Sequence, residues 1–495
     1  MTQDERDAGM SAGDESFEND AQRAKAAKNV EKIKKMGTEP MVRLVIRYSL
    51  PAIAGLIVTA FYVFVDGIFI GLGVGDAGIA ATAVALPFII VTMALNTLIG
   101  NGGNIVASIR LGEGKLDEAE RALGNTVTLL VIAWIVIMAV FIPLVDQIVT
   151  ISGATEDSFL YAKQYMIIMI VGFIASGLSG GVGNIIRTAG SPNIQMIIMI
   201  IGGCLNIVFD YFAVLVFRWE IIGAAGATVL SQIIASVLVM LFFTRKTSPL
   251  RYRLAYAKLD KRVSINIFKL GLAGFFMNAL MAITTVVINQ LYTHYGSLDP
   301  VGGTGALAAY GAAGRVQNLF FQIMIGISMA AQPIIGFNHG AALKRRVRSC
   351  FWVSANIGFA GLLVMTVICE LVPIPLLTLF GMSEAVLGFS VFTLRSMMIM
   401  IPLAAYGIMA STYFMATNQP GKANILVLLR QLILLVPVLI LCPIVLPMFF
   451  PISPVASIIW AYPIVDVVST AISMAVAWKD LRRLGREISL AEATT

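Results

Sequence analysis

Twelve times along this 495-residue chain, a run of some twenty or more apolar residues is closed by a short turn bearing glycine, proline or charge. A run of that length crosses a hydrocarbon core about 30 Å thick as one helix. Lipid offers backbone groups no hydrogen-bond partner, so a chain can span it only as helices or as a closed barrel. A barrel would show alternating segments of about 10 residues, and these runs do not alternate. The chain therefore reads as an all-α integral membrane protein with twelve transmembrane helices.

The rest of the composition agrees. Apolar residues make up 58% and charged residues only 13%, against about 25% charged in soluble proteins. A net charge of +7 could suggest nucleic acid, but its placement is that of membrane topology, and no nucleic-acid partner is expected. The four cysteines, Cys204, Cys350, Cys369 and Cys442, fall inside apolar runs and form no C-x-x-C pair. They read as small packing residues. His294 and His339 stand alone, so no zinc site is visible and no cofactor is expected.

The spans are expected at 44–71, 78–109, 123–145, 159–188, 194–217, 222–244, 265–293, 305–337, 350–380, 386–417, 424–449 and 454–478. Residues 1–40 are polar and of mixed charge and read as a disordered tail. They hold no apolar stretch of a cleavable signal peptide. With the N-terminus placed in the cytoplasm, 30 of the 35 Lys and Arg fall in the tails and even-numbered loops. Two, Lys163 and Arg218, fall in the odd ones, and Arg315, Arg395 and Arg430 lie inside spans. By the positive-inside rule both termini are cytoplasmic, in the cell (inner) membrane.

The chain also repeats. Pro192, after Arg187-Thr-Ala-Gly-Ser, and Pro420, after Met415-Ala-Thr-Asn-Gln, occupy matching turns 228 residues apart; Ile79-Ala-Ala-Thr and Leu307-Ala-Ala-Tyr open spans 2 and 8 at the same offset. Two like-oriented six-helix bundles related by a pseudo-two-fold axis along the membrane normal follow, since six is even. The expected division is a tail 1–40, an N-terminal lobe 41–244, a basic linker 245–264, a C-terminal lobe 265–478 and a cytoplasmic tail 479–495. The linker's charge suits an anionic leaflet.

Two such bundles with a cleft between them are the architecture of an alternating-access carrier. An enzyme would need a nucleophile, a metal cluster or an acid–base pair near one interface, and none is visible. Asp66 and Asp210 instead lie inside spans 1 and 5, where a carboxylate is costly and usually serves transport. A rise of 1.5 Å per residue puts Asp66 roughly 28 Å and Asp210 about 25 Å from the cytoplasmic ends of their helices. Asn206 is one turn below Asp210 on the same face, and Thr228 enters span 6 at a similar level. Carboxylate, amide and hydroxyl oxygens at one depth suit a small hard cation or a shared proton. The plainer alternatives are a helix-end position for Asp66 and inter-helix hydrogen bonds for Asp210, Asn206 and Thr228. Tyr62, one turn before Asp66, is either a donor to that carboxylate or an interfacial tyrosine. Pro51 permits a kink in span 1, either a fixed bend or one that answers to Asp66. Asp466 in span 12 is expected to take a structural partner, Arg430 or Arg395. Glu370 is expected to be solvated.

Tyr48-Ser-Leu-Pro-Ala-Ile, Asp66-Gly-Ile-Phe-Ile-Gly, Leu111-Gly-Glu-Gly, Arg187-Thr-Ala-Gly-Ser-Pro and Gly223-Ala-Ala-Gly-Ala-Thr, in this order and spacing, resemble the multidrug and toxic compound extrusion (MATE) family. The resemblance covers about residues 43–480. One branch of that family keeps a cation site in the N-terminal lobe, and the matching positions are Pro51, Tyr62, Asp66, Asn206, Asp210 and Thr228. The other branch uses carboxylates on spans 7 and 10, which are absent here. The resemblance implies a monomer that exports cationic or amphipathic organic compounds against inward H⁺ or Na⁺, with no metal beyond possible Na⁺ at that site. Membrane lipids are its other partners. The rival within transport is a lipid-linked saccharide flippase of the wider superfamily, with a more cationic cleft, which Arg315 and Arg395 keep open. The rival from another class is a membrane-embedded transferase.

Overall fold

The structure is a computed structural model and describes residues 35–74, 76–152, 156–245, 248–378 and 384–493. The expected tail 1–40 therefore lies outside the described residues as far as residue 34. Among the described residues, eleven helices are each long and apolar enough to cross a membrane. They are spans 1 (Met41–Gly73), 2 (Val84–Gly112), 3 (Leu116–Phe141), 4 (Phe159–Thr188), 5 (Pro192–Val216), 6 (Glu220–Thr244), 7 (Lys261–Gly296), 8 (Gly305–Gly340), 9 (Lys344–Leu371), 11 (Pro420–Phe449) and 12 (Pro454–Ser489). Span 10 is a pair, Val386–Met398 and Ile401–Ala416, bent by 43°. Pro402 in the first turn of the second piece has no N–H to continue the ladder, which accounts for the break. Several helices overrun the apolar runs. Span 3 starts at Leu116 because its first turns, with Asp117, Glu118 and Arg121, are charged and stand outside the apolar slab. The helix of span 12 likewise continues to Ala493.

The repeat is written into the contacts. Pro192 and Pro420 each open a helix. Asn104 Nδ2 donates to Gln332 Oε1 at 3.1 Å, a hydrogen bond between two residues 228 apart. One turn on, Gly336 faces Ser108, again 228 apart. Residues that touch their own symmetry mates lie on the axis, so the pseudo-two-fold passes between spans 2 and 8. Gly112 lies against the Phe337 carbonyl, and Gly340 against the Ile109 carbonyl. These two contacts exchange under the same shift, as in an isologous dimer. A Cβ at either glycine would collide with backbone. Glycine is thus what lets these helices meet, in a solvent where association depends on close packing.

The lobes share a buried core at one end, and spans 2 and 7 stay in contact as far as Thr97 and Asn278 at mid-span. On the side carrying the described chain ends, one apolar core runs through both lobes and includes Leu44, Ile99, Ile109, Ile327, Ile334 and Phe414. On the far side the cores are separate. One belongs to the N-terminal lobe, with Ile70, Phe88, Ile137 and Val214, and the other to the C-terminal lobe, with Ile288, Tyr292, Leu394 and Val465. The molecule is a V closed on the terminal side and parted on the far side.

Polar contacts clasp the closed side. Arg346 Nη2 donates to the carbonyls of Met36 (3.0 Å) and Glu39 (2.7 Å), and Asn338 Nδ2 donates to Met36 at 3.0 Å. Lys344 pairs with Glu487 at 2.7 Å. The basic segment between the lobes packs along the end of span 3. There Thr128 Oγ1 donates to the Ala257 carbonyl at 2.8 Å, and Asn125 Oδ1 accepts from Asp260 N at 2.8 Å. Part of its charge is met by Glu120, 2.9 Å from Arg253. Asp260 caps span 7, and the backbone donors of Val263 and Arg262 hold its carboxyl below the usual range.

Candidate functional site

Spans 1 and 5 pack side by side in the N-terminal lobe, with small residues at the contact. A Cβ at Gly203 would stand 3.0 Å from Val58 and 3.2 Å from the ring of Tyr62. Span 1 thus turns its Val58–Tyr62–Asp66 face, at i,i+4 spacing, into its own lobe. Asp66 and Asp210 meet there, their carboxyl groups close enough for one proton to bridge them. Asp210 is fully buried. It closes the regular part of span 5, and the next residues, Tyr211–Val216, form a π-helical turn. Such turns recur at functional sites.

Asn206 lies one turn below Asp210, also buried, and its Nδ2 donates to Thr228 Oγ1 of span 6 at 3.2 Å. That bond orients the amide so that its oxygen is left over. Asp66 Oδ1, both oxygens of Asp210 and Asn206 Oδ1 are all buried with no hydrogen-bond donor among the described residues. The pocket is a cluster of acceptors. Unmet buried acceptors are costly, and two carboxylates in contact cost more unless a positive charge joins them. A proton or a small hard cation would satisfy such a set of acceptors. Among the described residues no group of three or more His, Cys, Asp or Glu could hold a metal ion.

The structure brings together five of the six residues singled out from sequence: Tyr62, Asp66, Asn206, Asp210 and Thr228. Pro51 stands apart, four turns down span 1, in a helix that runs unbroken from Met41 to Gly73. Sequence reasoning missed Tyr165 of span 4. It is buried, and its hydroxyl is within electrostatic range of both carboxyls. A tyrosine in an apolar run gives no signal in one sequence.

The other intramembrane charges differ in kind. Asp466 is buried but is held by Arg430, whose Nη2 and Nε lie 2.7 and 3.1 Å from one carboxylate oxygen. Glu370, expected to be solvated, pairs with Arg395 at 3.2 Å. Arg187, counted above with the loops, is instead buried at the end of span 4, where Nη1 donates to Asn184 Oδ1 at 3.1 Å.

Fold and pocket together define a two-lobed, all-helical membrane protein with an acidic acceptor cluster inside one lobe. A family model described as MatE matches residues 51–212 and 272–441, one stretch in each lobe, and the chain belongs to the MatE family. Over 442 residues it is 25% identical to the multidrug export protein MepA of Staphylococcus haemolyticus, covering 89% of this chain and 94% of that protein. It is 26% identical to MepA of Staphylococcus aureus over 404 residues, 81% of this chain and 87% of that one. Among solved structures it resembles an outward-facing multidrug resistance MATE transporter of the MOP superfamily, with a TM-score of 0.85 and 20% identity, covering 93% of this chain and 99% of the other.

Proposed function

We propose that the chain exports small amphipathic organic compounds, cations among them, by alternating access, and that an inward flux of H⁺ or Na⁺ through the Asp66–Asp210 pocket drives it. One observation carries the reading: four buried acceptor oxygens on Asp66, Asp210 and Asn206 have no donor among the described residues, whereas Asp466 has its own arginine. A charge neutralised within the fold serves the fold. A pair of carboxylates with no counter-charge beside it is built to receive one from outside.

The cation binds Asp66, Asp210 and Asn206 Oδ1, and Thr228 holds the amide in position. Tyr62 packs against Gly203 and transmits the state of the pocket to span 1. That helix also crosses span 8 at Gly326, where Ile53 packs, so it joins the pocket to the contact between the lobes. Loading the pocket favours one lobe arrangement and drug the other, each by its differential affinity for the two. The distribution of Lys and Arg supports a cytoplasmic location for the closed, terminal side. The parted side then faces out, and a single chain suffices.

The test is transport in proteoliposomes with a pH gradient and a Na⁺ gradient imposed separately and a fluorescent organic cation as cargo. Uphill movement driven by one of the two supports the reading. Transport that ignores both gradients overturns the coupling.

A further inference from the structure

Among the described residues Arg315 is an intramembrane cation with no counter-charge. Arg315 lies in span 8, about 15 Å along the helix from its far-side end, and is exposed. It forms no ion pair with any described residue, unlike Arg395 and Arg430. Its direction follows from helical geometry. Gly326, eleven residues on and so nearly on the same face, is the point where span 8 meets span 1: a Cβ there would stand 3.0 Å from the Ile53 amide nitrogen. The opposite face, with Ala306 and Ala313, is buried in the core of the C-terminal lobe. Arg315 therefore points from that lobe toward the other, about 16 Å above the crossing, where the V has opened.

The same stripe carries Asn318 and Gln322, one turn and two turns below, joined by a hydrogen bond from Gln322 Nε2 to Asn318 Oδ1 at 3.2 Å. Three polar side chains in succession do not face lipid; polar groups at this depth face a bundle interior or an aqueous cavity. Spans 7 and 8 contain no Asp or Glu, so this wall of the cleft is net positive. The facing stripe of span 1, continuing from Ile53, presents Ile57 and Phe61, both exposed and apolar.

We propose that Arg315, with Asn318 and Gln322, forms a subsite for the anionic group of an amphipathic cargo. The guanidinium fork matches an oxyanion in a bidentate manner. The Asn318 and Gln322 amides supply further donors, and the apolar body of the cargo lies on Ile57 and Phe61. The subsite rests on the export reading above and assigns it a specificity-determining group. It is separate from the cation pocket, because the Tyr62–Asp66 face of span 1 points the other way.

The test uses two cargoes that differ by one ionised carboxylate, tetramethylrhodamine free acid and its methyl ester. Transport is measured in proteoliposomes under the gradient that drives export. In Arg315→Gln the ratio of acid to ester transport should fall about tenfold or more, the range expected for loss of a charge-assisted hydrogen bond. Arg315→Lys should keep part of the preference, as a point charge without the fork. Asn318→Leu and Gln322→Leu should each lower the ratio less, so the test survives poor expression of one variant. An unchanged ratio in Arg315→Gln overturns the subsite. Wild-type export of the ester without the acid overturns it too while leaving the export reading intact; export of neither dye takes down both. A defect that scales with added phosphatidylglycerol and not with the dye carboxylate would mean that Arg315 meets lipid phosphate, and the cargo assignment falls.

Discussion

Asp210→Asn and Asp466→Asn are the same chemical change at two fully or nearly fully buried sites, and they should move stability in opposite directions. Among the described residues no donor reaches either oxygen of Asp210, and its neighbour Asp66 is also an acid. An amide there removes a like-charge contact and supplies donors to Asp66 and Asn206. An unmet buried acceptor costs about 1–3 kcal/mol, so Asp210→Asn should leave stability unchanged or raise it by up to about that much. Asp466→Asn strips the partner from Arg430, which holds it at 2.7 Å. Breaking a buried pair costs about 3–5 kcal/mol, and the low end applies because the Arg430 side chain keeps 25% of its exposure. The assay is thermal unfolding in detergent with a maleimide dye in a Cys204→Ser background, since Cys204 is exposed whereas Cys350, Cys369 and Cys442 are buried and react only as the spans part. Transport of the same proteins completes the comparison. Asp210→Asn should be folded and uncoupled, whereas Asp466→Asn should retain transport in proportion to the folded protein. An Asp210→Asn protein destabilised as much as Asp466→Asn would refute the reasoning, because Asp210 would then be a structural group.

Asp66 and Asp210 should act as one unit. Asp66→Asn, Asp210→Asn and the double variant should lose coupled transport to nearly the same extent, whereas a double loss equal to the product of two modest ones would argue for separate sites. Pro51→Ala restores a backbone donor to span 1 and should slow transport while cation binding survives; unchanged transport would make the proline a passive feature, and lost binding would place it in the pocket's own architecture. Gly340→Val should weaken the contact with the Ile109 carbonyl that closes the terminal side. Overpacking of this kind costs about 1–3 kcal/mol, and each 1.4 kcal/mol is about a tenfold shift in conformer ratio. A cysteine placed at Gln322 should then react less with an impermeant reagent from the far side, and undiminished labelling would show that the contact is not specific to one state.

Much of this was legible in the sequence because the membrane writes plainly. Length and apolarity gave the twelve crossings, and the shift relating Pro192 to Pro420 reappears as the Asn104–Gln332 hydrogen bond. The meeting of Asp66 with Asp210 could be expected from depth alone, since helical rise converts residue number to height. Azimuth is another matter. Nothing in one sequence shows which face of span 4 turns Tyr165 toward the carboxyls, or that Arg430 and not Arg395 reaches Asp466. Arg187 read as a loop residue because it follows an apolar run, yet the helix carries it inside. The polar first turns of span 3 were assigned to a loop because hydropathy marks where lipid begins, not where a helix does. The parted far side was not legible at all, because it depends on which cores join across the lobes.

The central claim is that the Asp66–Asp210 pocket holds the ion that drug displaces, and linkage makes this directly measurable. If drug and cation favour different lobe arrangements, each must weaken the other's binding by the same factor. Purified protein in weakly buffered detergent is mixed with an organic cation while released H⁺ is read with a pH dye and released Na⁺ with an isotope. The wild-type protein should release one of the two on drug addition, and the Asp66→Asn, Asp210→Asn double variant should bind the drug and release neither. Equal release from the double variant would place the coupling ion elsewhere and contradict the account.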